Sequence, residues 1–302
     1  MGGIAVVSLA SKGKWKKRAK PGLFDVVLYL LLGLCAVLIL FPLYYVVVLS
    51  FTSYTQYIKS SGFVLFPAPV SLDGYNQFIS NPAVPKAFLV TLYLTLFGTV
   101  LNLLATALLA YPLSQKDLPA RKAFTLLTLF PMLFSGGLIP TFYVVRQTGI
   151  MDTTWAMILP YLISTYDMII VRSFFQTLDS GYIESARIDG ANELRILFRI
   201  VLPLSKPVLA TVILTYGVGH WNCFFPALYY VRNADLQPIQ IVLRGILSEA
   251  QSTLEDVNPE MTASSQAMKQ AAVVLASLPV VIVYPFLQKY FTQGMMIGGI
   301  KG

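Results

Sequence analysis

Six long apolar stretches, separated by polar segments, dominate the pattern of this chain. They lie near residues 25–50, 87–113, 122–145, 153–175, 206–231 and 267–291. A helix needs about 20 mostly apolar residues to cross the hydrocarbon core of a bilayer. Because each stretch is long enough, the pattern predicts an all-α membrane protein with six transmembrane helices.

The first apolar stretch follows a basic segment, with six lysines and arginines between residues 12 and 20. A secretory signal peptide also begins with basic residues, but its apolar core covers roughly 7–15 residues and a small-residue cleavage site follows. Residues 25–50 are longer than such a core, and no A-x-A site follows them. We therefore predict a basic N-terminal segment, residues 1–23, and one transmembrane domain, residues 24–302.

Lysine and arginine residues are distributed unevenly between the two sides of the predicted bundle. The segments 1–24, 114–122, 172–206 and 289–302 together hold 16 of the 22. The other side holds Lys59, Lys86, Arg146, Arg232, Arg244 and Lys269. Because loops that remain in the cytoplasm are enriched in these residues, both termini are predicted to be cytoplasmic, together with the loop 176–205.

Composition supports a membrane protein and changes how the net charge is interpreted. Hydrophobic residues make up 56% of the chain and charged residues 12%, and the mean hydropathy is +0.68; a soluble globular domain is more polar. The net charge of +8 is spread between apolar segments without an aromatic and basic recognition module, so no nucleic-acid partner is predicted. Cys35 and Cys223 lie in apolar runs, and no metal site is predicted.

The loop 176–205, between the fourth and fifth spans, has the pattern of two short helices joined by a turn. Asp179 or Ser180 can cap the first helix with a side-chain oxygen. Gly190 permits a backbone geometry that other residues disfavour, so the chain can turn there. The second helix carries an apolar stripe until Pro203 and Pro207 stop or kink it. We predict an amphipathic, charged projection below the membrane.

The sequence of this loop resembles the E-A-A-x3-G-x9-I-x-L-P signature of the permeases of binding-protein-dependent ABC importers. The matching residues are Glu184, Ser185, Ala186, Gly190, Ile200, Leu202 and Pro203. Ser185 replaces the central alanine, and Asp179 stands where many members have proline. The extended Glu-x-Ala-Arg-Ile-Asp-Gly-Ala form, which includes Asp189, is similar to the carbohydrate-importer branch. The resemblance implies the MetI-like fold of type I importer permeases.

Other segments extend the resemblance to nearly the whole chain. The tail from Gly298 to Gly302 and the pair Trp221-Asn222 look like those of MalG-like permeases of the maltose system. Residues 131–140 look closer to a subgroup that handles large oligosaccharides, such as alginate, pectin fragments or lipo-oligosaccharides. The resemblance implies that the chain forms half of an oligosaccharide path in a bacterial inner membrane.

The sequence contains no phosphate-binding G-x-x-x-x-G-K-[ST] loop, so we expect no ATP site, no cofactor and no enzymatic activity in this chain. The resemblance implies a separate ATPase that binds ATP and Mg²⁺. The residues expected to couple to it are Glu184, Ser185, Ala186, Asp189, Gly190, Ile200, Leu202 and Pro203, with tail contacts from Gly299, Lys301 and Gly302. The other implied partners are a second permease, related or identical, a second ATPase subunit and an extracytoplasmic substrate-binding protein.

Polar residues are scarce within the predicted spans, and they are the candidates for lining a path. They are Tyr166, Asp167, His220, Trp221 and Asn222, with Asn102 as a further candidate. A sugar path needs aromatic faces and hydrogen-bonding groups, and a carboxylate inside a membrane usually faces a cavity or a partner. Packing remains the alternative for each, since Asp167 can pair with Arg172 and His220 can be a buried, hydrogen-bonded histidine.

Two segments outside the loop have a distinctive pattern. Pro131, Gly136, Gly137 and Pro140 predict a kinked or broken third span. Because unpaired backbone in a membrane is tolerated only against protein or a water-filled cavity, we expect this break to line the path. Residues 236–250 have helix-like apolar spacing, and such a helix can lie on the membrane surface or against a soluble partner.

Three other kinds of membrane protein can also have an apolar chain of this length. An ABC importer for amino acids or peptides would share the loop 176–205, so this alternative remains open. An ion-coupled secondary transporter would need an inverted repeat or several buried carboxylates, and the sequence displays neither. A membrane enzyme or sensor would need a catalytic cluster or a signalling domain, and a single histidine without metal-ligand spacing argues against it.

Overall fold

A computed structural model describes residues 22–60, 62–252 and 259–298 of the chain. Within these residues the secondary structure is helical, apart from one isolated antiparallel bridge between Thr52 and Val70. The chain divides into two compact units, Met1–Tyr45 and Val46–Gly302. The predicted all-α class is therefore confirmed over the described residues.

The helices follow one another with short connections. In chain order they are α1 Leu23–Ser50, α2 Tyr54–Lys59, α3 Asp73–Ser80, α4 Ala83–Tyr93, α5 Thr99–Ser114, α6 Arg121–Leu133, α7 Leu138–Gln147, α8 Trp155–Ile158, α9 Thr165–Phe175, α10 Ser180–Ile188, α11 Glu193–Ile196, α12 Leu202–Leu204, α13 Lys206–Trp221, α14 Phe225–Tyr230, α15 Ile239–Ser252 and α16 Pro259–Gly298. Two π-helical turns, Leu94–Gly98 and Leu197–Val201, and two 3-10 turns, Leu159–Tyr161 and Ala234–Leu236, complete the described helical structure.

The helices that are long and apolar enough to cross a membrane fall into two groups. Three segments qualify without a break: Leu23–Ser50, Ala83–Ser114 and Gln266–Pro285. Three pairs qualify as bent spans by length and composition: α6 with α7, the segment Trp155–Tyr161 with α9, and α13 with the segment Glu193–Leu204, which belongs to the loop 176–205. The part of the chain that the structure describes thus has at least three spans, and the six predicted from the sequence if each bent pair is counted as one span.

The third span is broken where its glycines and prolines predict. α6 ends at Leu133 and α7 begins at Leu138, with an angle of 115° between them. Gly137 precedes α7 with φ +81° and ψ −179°, a backbone conformation that is essentially restricted to glycine. The glycine therefore allows a change of direction that a side chain at this position would oppose.

The helix of the fifth span is shorter than the sequence pattern suggested, because α13 ends at Trp221 and not near residue 231. Pro226 has no amide hydrogen, and its ring would clash with the carbonyl group four residues earlier in a continuous helix. A new helix, α14, begins at Phe225 with this proline in its first turn, where proline is tolerated.

Apolar clusters hold the second unit together at both ends. At the end that carries the loop 176–205, α5, α9, α10 and α13 share one cluster that includes Tyr111, Val171 and Val212. At the other end, α3, α4, α15 and α16 pack around Phe78 and Ala272. There Gly74 approaches α16 so closely that a Cβ atom would lie 2.6 Å from the carbonyl oxygen of Ala267. The helix expected near residues 236–250 is present as α15.

Candidate functional site

The first helix of the loop 176–205, α10, presents one face outward and buries the other. Asp179 caps it, because its Oδ1 atom accepts a hydrogen bond of 3.0 Å from the Gly181 amide. Ile183 and Ala186 are both 8% exposed, whereas Glu184 and Ser185 are exposed. Residues three apart share a helix face, so the packing of the apolar face fixes the direction in which the acidic and small residues point.

Gly190 forms the turn between the two loop helices. Its φ of +79° lies in the left-handed region, which costs other residues about 1–2 kcal/mol. The Ala191 amide donates to the Ala186 carbonyl at 2.9 Å, and the Gly190 amide donates to the Arg187 carbonyl at 3.0 Å. These two bonds form a Schellman motif, which satisfies carbonyl groups at a helix end. Asp189 and Gly190 are both exposed.

Glu193 connects both loop helices to the end of α5. Its Oε1 atom accepts from Arg187 Nε at 2.8 Å, and its Oε2 atom accepts from the Tyr111 hydroxyl at 2.5 Å. The bond from Arg187, assisted by that from Tyr111, holds the pKa of Glu193 below its usual value, although partial burial opposes this shift. The same bond raises the pKa of Arg187. One carboxylate therefore fixes the position of the loop relative to the second span.

The second half of the loop splits the apolar stripe that the sequence suggested. Ile196, Leu197 and Val201 are buried. Five large apolar side chains of the loop are instead exposed: Tyr182 58%, Ile188 87%, Leu194 59%, Phe198 46% and Leu204 46%. Ile200 and Leu202 are half-buried, and Pro203 is exposed. Exposed large apolar side chains mark a protein-binding surface where they form a contiguous patch.

Burial attaches the loop to the bundle. Its residues Ile183, Ala186, Ile196, Leu197 and Val201 belong to the same apolar cluster as Met168, Val171 and Phe175 of α9 and Val208 and Val212 of α13. Interiors packed in this way have low compressibility and transmit displacement. A force applied to the loop would therefore reach the second, fourth and fifth spans.

The bend of 53° between residues 161 and 165 frees backbone groups that side chains of neighbouring spans satisfy. Asn102 Nδ2 donates to the Tyr161 carbonyl at 2.9 Å. The Ser164 amide donates to the Tyr216 hydroxyl at 2.9 Å, and that hydroxyl bonds with the Thr106 hydroxyl at 2.7 Å. Non-helical backbone is tolerated within a membrane where other protein groups replace the hydrogen bonds of a regular helix, as these side chains do.

His220 and Trp221 also have partners within the chain. His220 Nε2 lies 3.0 Å from Asn102 Oδ1, and Trp221 Nε1 donates to the Ala276 carbonyl at 2.9 Å. The His220 ring packs against Gly98, at the end of the π-helical turn in the second span; a Cβ atom on Gly98 would lie 2.6 Å from His220 Nε2. The glycine therefore makes room for the imidazole ring between the second and fifth spans.

An apolar groove with a volume of about 380 Å³ lies between the second, fifth and sixth spans. Its polar side-chain atoms come mainly from Thr95 and Thr99, so it offers few groups for a sugar. Among the described residues, no group of three or more His, Cys, Asp or Glu could hold a metal ion.

Comparison with known proteins assigns the family. Residues 4–297 match the family described as binding-protein-dependent transport system inner membrane component. The chain belongs to this family. Its members are subunits of transport systems, and the membership confirms the resemblance recognised in the loop and the MetI-like permease fold.

Several relatives of this permease cover nearly its whole length. The polygalacturonan/rhamnogalacturonan transport system permease protein YtcP of Bacillus subtilis (strain 168) is 40% identical over 94% of this chain and 100% of its own. Protein LplC of the same organism is 42% identical over 92% of this chain and 95% of its own. The solved structure of a bacterial ABC transporter involved in the import of the acidic polysaccharide alginate contains a chain that is 29% identical, with a TM-score of 0.81 over 89% of this chain and 96% of that one.

The structure separates the path candidates of the permease into two sets. Asp167, His220 and Trp221 are 2%, 7% and 5% exposed, whereas Tyr166 is 61% exposed and Asn222 is also exposed. The Asp167 amide donates to the Ser164 hydroxyl, and Arg172 Nε donates to the Leu113 carbonyl at 3.0 Å. The tail residues Gly299, Lys301 and Gly302 lie outside the described residues.

Sequence reasoning missed the contacts of Tyr111, Arg187 and Glu193. A local signal existed for Glu193, since an acidic residue in the first turn of a helix, directly after the cap Asn192, favours that helix start. No local pattern connects it with Tyr111, which is 82 positions away. Only the fold brings these two residues together.

Proposed function

We propose that this permease forms half of the membrane path of an ATP-driven importer for an acidic oligosaccharide of the pectic or alginate type. The observation that carries the proposal is the loop 176–205, whose motif residues Glu184 and Ser185 are exposed while its apolar face is buried in the bundle. The substrate class is supported by relatives named for polygalacturonan/rhamnogalacturonan and for alginate. These polymers share uronate units with a carboxylate group.

A separate ATPase docks on the loop. The exposed Glu184 carboxylate can pair with a base of the partner, the small Ser185 permits close approach, and the exposed Ile188 offers an apolar contact. Asp189, Gly190, Ile200, Leu202 and Pro203 shape this surface. Because the buried face of the loop continues into α5, α9 and α13, movement of the ATPase displaces whole spans, as rigid-body switching requires.

The permease lies in a bacterial inner membrane with both termini and the docking loop in the cytoplasm. The excess of lysine and arginine on the loop side, 16 of 22, supports this orientation, since positive residues are retained in the cytoplasm. α15 and the connection between α1 and α4 then face outward, where an extracytoplasmic binding protein delivers the oligosaccharide.

The complete importer contains a second permease, related or identical, and two ATPase subunits that bind ATP and Mg²⁺. Each permease supplies one wall of the path. The exposed Tyr166 and Asn222 contact the oligosaccharide, while Asp167, His220 and Trp221 hold the wall in shape from inside the bundle. The tail residues Gly299, Lys301 and Gly302 contact the ATPase.

Reconstitution in proteoliposomes with the cognate partners tests the proposal. The rate of ATP hydrolysis and the uptake of a galacturonate or mannuronate oligomer are measured with the loaded binding protein. We expect both to rise together. Stimulation by amino acids or peptides and by no glycan would instead indicate another importer class. Transport driven by an ion gradient, with no ATPase co-purifying, would contradict the proposal as a whole.

A further inference from the structure

Polar and aromatic groups meet where α13 ends, at the end of the bundle opposite the docking loop. Gln240 Nε2 lies 3.5 Å from Asn222 Oδ1 and 3.5 Å from the Trp221 carbonyl oxygen. The guanidinium carbon of Arg244 lies 5.2 Å from the centroid of the Phe224 ring. Gln240 and Arg244 are four residues apart in α15, so they share one helix face. An arginine, two amides and an aromatic ring therefore surround the break between α13 and α14.

The guanidinium group of Arg244 lies over an aromatic ring and has no acidic partner among the residues that the structure describes. Arg244 is exposed, and the ion pairs of the described residues are Lys86 with Asp235 and Arg187 with Glu193. Lys86, on the same side of the bundle, thus has an acidic partner, whereas Arg244 has the face of a ring. A cation over an aromatic face keeps its charge, and the N–H fork of arginine matches a planar carboxylate in two parallel hydrogen bonds.

The amide groups beside Arg244 are also available for hydrogen bonds. Asn222 is exposed, and the two bonds of Gln240 are long at 3.5 Å, so a hydroxyl group could replace them at little cost. Phe225 is 60% exposed beside Phe224 and offers an apolar face for the C–H groups of a sugar ring. Charge, amides and aromatic surface together are the groups that an acidic sugar requires.

The dipoles of α13 and α15 have opposite effects on an anion bound beside Arg244. The C-terminal end of α13, at Trp221, contributes roughly half a negative charge that opposes an anion. Gln240 lies in the first turn of α15, whose N-terminal end contributes roughly half a positive charge. The two contributions have opposite signs, and Arg244 adds a full positive charge that attracts a carboxylate.

We infer that Arg244, with Asn222 and Gln240, binds a uronate unit of the oligosaccharide as it leaves the binding protein and enters the permease. The guanidinium group binds the carboxylate, and the amide groups form hydrogen bonds with the hydroxyl groups of the sugar ring. This inference rests on the proposed function, because it assumes an acidic oligosaccharide and an outward-facing α15. It adds the residue that selects the acidic sugar.

The test compares the reconstituted wild-type importer with Arg244→Gln, Arg244→Lys and the matched control Arg146→Gln, which removes another exposed arginine from the same predicted side. Initial uptake is measured with the binding protein loaded with trigalacturonate. Because Arg244→Gln removes charge-assisted hydrogen bonds to the carboxylate, it should lower uptake about tenfold or more. Arg244→Lys should retain part of the rate, and Arg146→Gln should match the wild type.

A second measurement separates a sugar contact from a contact with the binding protein. Docking of the unloaded binding protein to the Arg244→Gln importer should have the wild-type affinity. A weaker docking that accounts for the whole loss of uptake would overturn the subsite, as would unchanged uptake by Arg244→Gln. If the wild type itself imports no uronate oligomer but imports another solute, the proposed function fails and this inference fails with it.

Discussion

The side chains of Arg187 and Glu193 meet across the Gly190 turn, with 2.8 Å between Nε of the arginine and Oε1 of the glutamate. The Tyr111 hydroxyl donates to the second carboxylate oxygen at 2.5 Å. The two helices of the docking loop and the end of the second span are therefore joined through one carboxylate. If the loop receives movement from an ATPase, this junction determines how much of that movement reaches the spans.

Replacing Glu193 with glutamine should reduce coupling more than stability. An exposed ion pair contributes only about 0.2–1 kcal/mol, so the protein should insert and unfold almost as the wild type does. We expect ATP hydrolysis to continue while uptake per ATP hydrolysed falls several-fold. Lys86→Gln, which removes an ion pair of 2.7 Å at the other end of the bundle, is the control. Equal uptake per ATP in the wild type and Glu193→Gln would contradict the prediction.

The ion pair should also leave a signature in the pH dependence of unfolding. The pKa of Glu193 lies below its ordinary value of 4.5, so the folded state keeps the carboxylate charged where the unfolded chain already binds a proton. Its stabilisation is complete above the unfolded pKa and is lost as the pH falls through the folded pKa. In detergent, the stability difference between the wild type and Glu193→Gln should shrink as the pH is lowered from about 6 to about 3. A difference that grows on acidification would be the opposite result.

The docking surface predicts the effect of two substitutions in the loop. Gly190→Pro is incompatible with a φ of +79°, because proline fixes φ near −65°, and Glu184→Lys reverses an exposed charge. Both variants should insert into the membrane but should retain less ATPase on purification and transport poorly. Gly219→Ala, at a helical glycine whose added Cβ would meet nothing within 4 Å, should behave as the wild type. Normal uptake by both loop variants would remove the docking assignment.

The sequence predicted the helix cap and the turn of this loop because their determinants are local. The capping residue Asp179 and the left-handed turn at Gly190 are each encoded within a few positions of the chain. The break in the third span was predictable for the same reason, since Gly136 and Gly137 stand between two prolines.

What the sequence could not provide are contacts that depend on how the spans pack. For His220 the sequence leaves a path residue and a packed histidine open; in the fold its ring lies against Gly98 and Asn102 of another span. No proline or pair of glycines in the sequence predicts the π-helical turn that ends at Gly98. Tyr216 accepts a hydrogen bond from the Ser164 amide, a relationship that only the bend in the fourth span creates. Tertiary structure determines which groups contact one another at such places, and the periodicity of apolar residues does not predict it.

The contact of Gly98 with His220 predicts a size-dependent defect. Alanine normally favours a helix over glycine by about 1 kcal/mol, but here its Cβ would lie 2.6 Å from a buried ring that is also hydrogen-bonded to Asn102. Overpacking of this kind costs about 1–3 kcal/mol, so Gly98→Ala should lower the unfolding temperature in detergent. Gly219→Ala again serves as control. If the clash is the cause, the double variant Gly98→Ala with His220→Ala should lose less stability than the two single variants lose together.

The break in the third span carries the last prediction, which concerns the path itself. Ser135 and Gly136 are exposed between α6 and α7, and backbone of this kind within a membrane needs protein or water around it. Cysteine placed at either position should react with a charged, water-soluble thiol reagent in at least one state of the ATP cycle. Cys35 is an internal control, because it is exposed in the apolar helix α1 and should be shielded by lipid, while the buried Cys223 should not react either. Labelling is measured in the reconstituted importer with and without a trapped nucleotide. If neither position reacts in any state while insertion is normal, the break does not line the path.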